Sequence, residues 1–122
     1  MKTIAKNKGE SVVLLCMLRK ANGQPALVAD GTFAVTLARD FTPFTSVDIT
    51  GTGASVYDPP RGTFAVPDAR WIPGIDGDDG FNVECVIPST HFSQAGTYFA
   101  TLKFLGLSNY VDSQTFRIHV GS

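Results

Sequence analysis

Charge is scarce in this sequence, and so are the residues that carry most enzyme chemistry. Only 17% of the 122 residues are charged, and 10 Lys plus Arg nearly balance 11 Asp plus Glu, for a net charge of −1. A chain this close to neutral has no global attraction for nucleic acid or for an anionic membrane. It has two histidines, His91 and His119, and two cysteines, Cys16 and Cys85. Neither cysteine has a Cys-x-x-Cys partner, which argues against a zinc site. No Ser or Cys stands in a nucleophile-elbow pattern, so no Ser-His-Asp or Cys-His set is indicated. Gly51-Thr52-Gly53 lacks the Gly-Lys-Ser/Thr that completes a phosphate loop. Asp76, Asp78 and Asp79 lie beside Gly77 and Gly80, but Ile87 stands where a calcium loop needs its bidentate Glu, so the cluster reads as a turn. The chain is expected to be a non-enzyme without metal or cofactor.

Long hydrophobic runs are missing too. The longest, Val12–Leu18, is far below the ~20 residues of a bilayer-spanning helix. It follows Lys2, Lys6 and Lys8, yet Arg19 and Lys20 close it at once and no small-x-small cleavage pattern follows. It therefore reads as a strand rather than a signal peptide, with synthesis expected in the cytosol. Two cysteines are too few for a disulfide framework. Both sit in apolar runs and read as buried thiols, a single bridge being the alternative.

What is present is aromatic, apolar and rich in turns. Hydrophobic residues make up 43%, with nine Phe, 12 Gly and 7 Pro. This length is one domain's worth, residues 1–122, with enough chain to bury a core unaided. The composition favours strands and turns over helices. Val12, Leu14, Cys16 and Leu18 alternate with Val13, Leu15 and Met17, apolar on both faces. Phe33, Val35 and Leu37 face inward in Thr32–Ala38. Val47–Thr50 is a short strand candidate. In Phe81–Ile87, Phe81, Val83, Cys85 and Ile87 face in and Asn82, Glu84 and Val86 out. Tyr98, Ala100, Leu102 and Phe104 face in, as do Phe116, Ile118 and Val120. Between them Gly51–Gly80 is a long irregular middle in which only Gly62–Val66 reads as a strand. About seven antiparallel strands without a helical period predict an all-β sandwich.

Two stretches give that sandwich a more specific likeness. Gly9-Glu10-Ser11-Val12-Val13-Leu14-Leu15-Cys16 resembles the second strand of immunoglobulin-like domains. Gln94-Ala95-Gly96-Thr97-Tyr98-Phe99-Ala100 resembles their tyrosine corner. The residue two after that Tyr, usually Cys, is Ala100, and the buried Trp usual after the first Cys is missing, so the antibody-type disulfide is not implied. The last 40 or so residues resemble the Ig-like modules of tailed-phage virion proteins. They run from Ile87-Pro88-Ser89 through Ala95-Gly96-Thr97-Tyr98 to Ser113–Val120, and the nearest likeness is to the N-terminal domain of upper baseplate proteins. The resemblance implies a virion part made in the host cytoplasm. It would be a capsid decoration or cement protein, or a tail or baseplate adaptor, homo-oligomeric, with other virion proteins as partners and no nucleic acid or membrane.

Partner contacts are expected where apolar residues fall in turn-rich segments, since loops ordinarily show polar side chains. Phe41-Thr42-Pro43-Phe44, Tyr57-Asp58-Pro59-Pro60, Trp71-Ile72-Pro73 and Leu105-Gly106-Leu107 fit that description. Phe44, Tyr57, Trp71 and Leu107 are the expected anchors, the alternative being that these loops fold back and finish the core. A rival function is a carbohydrate-binding or cell-surface adhesion domain, with Trp71 and Tyr57 as a sugar platform.

Overall fold

Alternation of apolar side chains decides which face of each strand is buried. The computed structural model describes residues 1–39, 45–48 and 54–121, the stretch 45–48 by its backbone path. Its strands are β1 (Lys2–Asn7), β2 (Val12–Cys16), β3 (Gly31–Arg39), β4 (Thr45–Asp48), β5 (Ala54–Arg61), β6 (Phe81–Ile87), β7 (Gly96–Gly106) and β8 (Val111–Gly121). They form a five-stranded sheet, β1-β8-β7-β3-β4, and a three-stranded sheet, β2-β6-β5. The core between the sheets holds the inward residues read from the sequence except Phe81, which is buried against Tyr57 and Trp71. Val12, Leu14 and Cys16 lie with Val83, Cys85 and Ile87 on one side, and Tyr98, Ala100, Leu102, Phe104, Phe116, Ile118 and Val120 on the other.

This is the expected all-β sandwich, and its strand order is immunoglobulin-like. β2, β6 and β5 stand as strands B, E and D of such domains, and β3, β7 and β8 as C, F and G. The tyrosine corner is formed. Tyr98 is fully buried, its hydroxyl donates to the Gln94 carbonyl at 2.7 Å, and Phe92 packs edge-on at 5.1 Å. Cys16 and Cys85 are buried, reduced cysteines on neighbouring strands of the same sheet, so an intersheet bridge does not arise. Burial pushes the Cys16 thiol up to about 12 and the Cys85 thiol to about 11. Both stay protonated and unreactive at neutral pH.

Four details depart from the sequence reading. The basic lead is a strand: β1 pairs with β8, and does so in parallel, which makes eight strands rather than seven. Its period was hidden because among its residues only Ile4 packs on the core. In the middle region the strand is Ala54–Arg61, whereas residues 62–66 form a turn closed by Gly62 N–H to the Val66 carbonyl at 2.8 Å. Pro59 and Pro60 are tolerated because β5 is an edge strand, with an irregular register between Val56 and Arg61. Asn82, read as facing outward, is fully buried. Finally, β4 spans Thr45–Asp48 rather than Val47–Thr50, with Ile49 and Thr50 outside the described residues.

Candidate functional site

Strand register brings three connections to one end of the sandwich. β3 begins opposite the end of β7, with Gly31 paired to Gly106, and β5 ends opposite the start of β6, with Arg61 paired to Phe81. β2 also ends there, Cys16 facing Val83. The β2–β3, β5–β6 and β7–β8 connections therefore share this end.

Arg19 ties the three together. Its guanidinium donates to the Gly23 carbonyl and to Asp79, both at 2.7 Å, and its backbone N–H donates to the Asp112 carboxylate at 2.7 Å. Gly23 belongs to the first connection, Asp79 to the second, and Asp112 follows the third. Asn82 anchors the first from beneath: it accepts from Leu18 N–H and donates to the Leu18 and Ala26 carbonyls at 2.8–2.9 Å. Such cross-ties lower the ordering cost of any contact made there.

The β7–β8 connection is a tight turn at Leu107–Tyr110. Ser108 and Asn109 both have left-handed backbone, φ 58° and 61°, and Tyr110 N–H donates to the Leu107 carbonyl at 3.3 Å. This is the geometry that Asn-Gly or Gly-Gly fills at least cost, so Ser108 adopts it under strain. The result is a tight tip with Leu107 82% exposed. A cavity of about 240 Å³ lies beside it, lined by Tyr110, Phe104, Asn22 and the Lys20–Asp30 ion pair.

The β5–β6 connection is clipped to the outer face of its sheet. Arg70 bonds Asp68 and reaches Glu84 on β6 at 2.9 Å, and the Tyr57 hydroxyl donates to the same Glu84 oxygen at 2.9 Å. Hydrogen bonds from Arg70 hold the Asp68 and Glu84 carboxyls below their usual range. The Tyr57 phenol is raised, chiefly because its proton is shared with Glu84. Trp71 packs on Phe81 at 5.5 Å and donates its indole N–H to the Gly77 carbonyl at 2.8 Å. Gly62, with φ +82°, lies against the indole so closely that a Cβ would sit 2.7 Å from it.

Of the four expected anchors, Tyr57 and Trp71 meet around Phe81, at ring distances of 5.9 and 5.5 Å. Their contacts fasten this connection to the body. Leu107 stands apart at the tip, and Phe44 lies outside the described residues. The apolar side chains most open to solvent at this end are instead Val28, Phe64, Ile75 and Leu107, each at least 70% exposed. Val28 follows the first connection's turn, and Phe64 and Ile75 belong to the second. Among them only Leu107 was an expected anchor; a lone Ile or Phe in a polar stretch looks like core. Arg19 carried no signal, because Asp79 and Asp112 are 60 and 93 residues away in sequence.

No protein-family model matches this chain, and no curated protein sequence matches it. Among the described residues no group of three or more His, Cys, Asp or Glu is placed to hold a metal ion. No helix of theirs is long and apolar enough to cross a membrane.

Proposed function

We propose that this chain is a non-enzymatic structural module of a tailed-phage virion, docking through its three-loop end on a capsid or tail protein. The observation that carries the docking is the cluster of exposed apolar side chains on cross-tied loops, with Leu107 and Phe64 each 82% exposed. Apolar anchors on a pre-ordered surface are what a stable protein contact requires. The virion assignment comes from the sequence resemblance of the C-terminal strands and their tyrosine corner. A sugar platform on Trp71 and Tyr57 is less favoured, because the indole is engaged by Gly62, Phe81 and Gly77.

Co-sedimentation of the purified chain with phage particles, or with their isolated capsid and tail assemblies, tests this. Leu107→Asp combined with Phe64→Asp should weaken binding at least about tenfold. The melting temperature should move by only a few degrees, as both side chains are exposed. Unchanged binding by the double variant, or saturable binding of a glycan that perturbs Trp71 fluorescence, would overturn the proposal.

A further inference from the structure

We infer that the chain pairs with a second copy of itself, the apolar, acid-flanked helical turn at Pro73–Asp76 of one copy entering a basic-rimmed cleft of the other. This deepens the docking reading, on which it rests for the exposed β5–β6 connection, by naming one occupant.

The cleft lies at the seam between the sheets, where β1 and β2 diverge. It has about 280 Å³ of space, with Ile4, Val13 and Leu15 among its walls and Lys2, Lys6 and Arg70 at its rim. Val13 is 40% exposed there, on the outward face of β2. Arg70 is already paired with Asp68 and Glu84, whereas Lys2 and Lys6 have no carboxylate partner among the described residues. The cleft thus offers apolar walls and two uncompensated cations.

The helical turn offers the complement. Ile75 is 80% exposed and Ile72 54%, and Asp76, Asp78 and Asp79 follow at once. Asp76 accepts from Ile72 N–H and Asp79 from Arg19, while Asp78 makes no ion pair among the described residues. An apolar side chain beside an unpaired carboxylate matches an apolar cleft beside ammonium groups that no described carboxylate neutralises. Complementary charge sets orientation and register as the apolar part is buried.

Knob and cleft sit on the same flank. Arg70 lines the cleft, Lys2 lies 5.9 Å over the Trp71 ring, and Trp71 is bonded to Gly77 just past the helical turn. Two copies can therefore exchange these elements reciprocally, which closes as a two-fold dimer rather than an open chain.

Sedimentation velocity on the whole chain over a range of concentrations tests the pairing. The wild type should dimerise, more weakly at high salt. Ile75→Ser and Lys6→Glu should each raise the dissociation constant about tenfold or more, and Asp78→Lys combined with Lys6→Glu in one chain should restore it to within about threefold. These positions carry no core contact, and a thermal melt confirms each variant is folded. A chain that stays monomeric at millimolar concentration overturns the inference. So does a dimer indifferent to Ile75 and Lys6, or a charge swap that fails to rescue. If particles still bind through Leu107 and Phe64 while the chain is monomeric, the docking proposal stands and this one falls. Binding of an acidic peptide to the cleft of a monomeric chain also decides against the second copy.

Discussion

Removing the Asn82 side chain would leave two buried backbone groups without partners, the N–H of Leu18 and the carbonyl of Ala26, while the Leu18 carbonyl keeps the Ala26 N–H. An unsatisfied buried polar group costs about 1–3 kcal/mol. Asn82→Leu, similar in size but unable to hydrogen-bond, should therefore lose about 2 kcal/mol or more, read as a lower urea midpoint. A loss well under about 1 kcal/mol would mean that water or a rearranged loop replaces the amide. Asn82 also marks a limit of pattern reading. Strict alternation puts it outside, between Phe81 and Val83, yet both Phe81 and Asn82 are buried where the strand begins. Period-two reasoning assumes a regular pleat, and here the β2–β3 connection covers the position that alternation leaves open to water.

At the scale of elements, the long irregular middle behaves as a strap, fixed by the Arg70, Asp68, Glu84 and Tyr57 contacts. Both carboxyls titrate below their usual values in the folded chain, because Arg70 favours their charged forms. A group whose folded pKa is depressed contributes stability above its unfolded pKa and loses it as the pH falls through the folded value. The strap should thus hold at neutral pH and loosen below about pH 4, where free carboxylates begin to protonate. Trp71 emission should report this as a red shift on acidification, preceding loss of the far-ultraviolet strand signal. Glu84→Gln should show part of the shift already at pH 7. A Trp71 signal that moves only with global unfolding would show that Phe81 and Gly62 hold the strap without the ion pairs. Part of this was legible: Val56, Tyr57, Phe64, Trp71 and Ile72 are too apolar for a solvated linker and were expected on the body or a partner, and Tyr57 and Trp71 do pack on the body while Phe64 and Ile72 stay exposed. Where the strap lies was not legible, since Arg70 and Glu84 pair across 14 residues that no local period links.

For the whole molecule, the sandwich was readable because β2, β3, β6, β7 and β8 carry a clear apolar face. Neither β5 nor β1 was read as a strand; β1 completes the five-stranded sheet by parallel pairing with β8, from Lys2 opposite Phe116 to Asn7 opposite Gly121. Its Lys2 and Lys6 put charge on what is otherwise an open edge, a common guard against edge-to-edge association. Deleting residues 2–7 would strip that guard and leave β8 as the edge. The truncated chain should lose stability, seen as a lower melting temperature, and scatter light increasingly with time at concentrations where the full chain stays clear. A truncated chain as stable and as clear as the full one would show β1 to be dispensable.

The same pairing fixes an order of events during synthesis. β1 emerges from the ribosome first, yet its partner β8 comes more than 100 residues later, after every other strand. Contacts so distant in sequence form late and slow the folding of domains that depend on them. Through most of translation the lysine-bearing N-terminal segment is therefore left waiting while the three-stranded sheet and the β3–β7 pair assemble beside it. The first strand made is the last that can be laid in place.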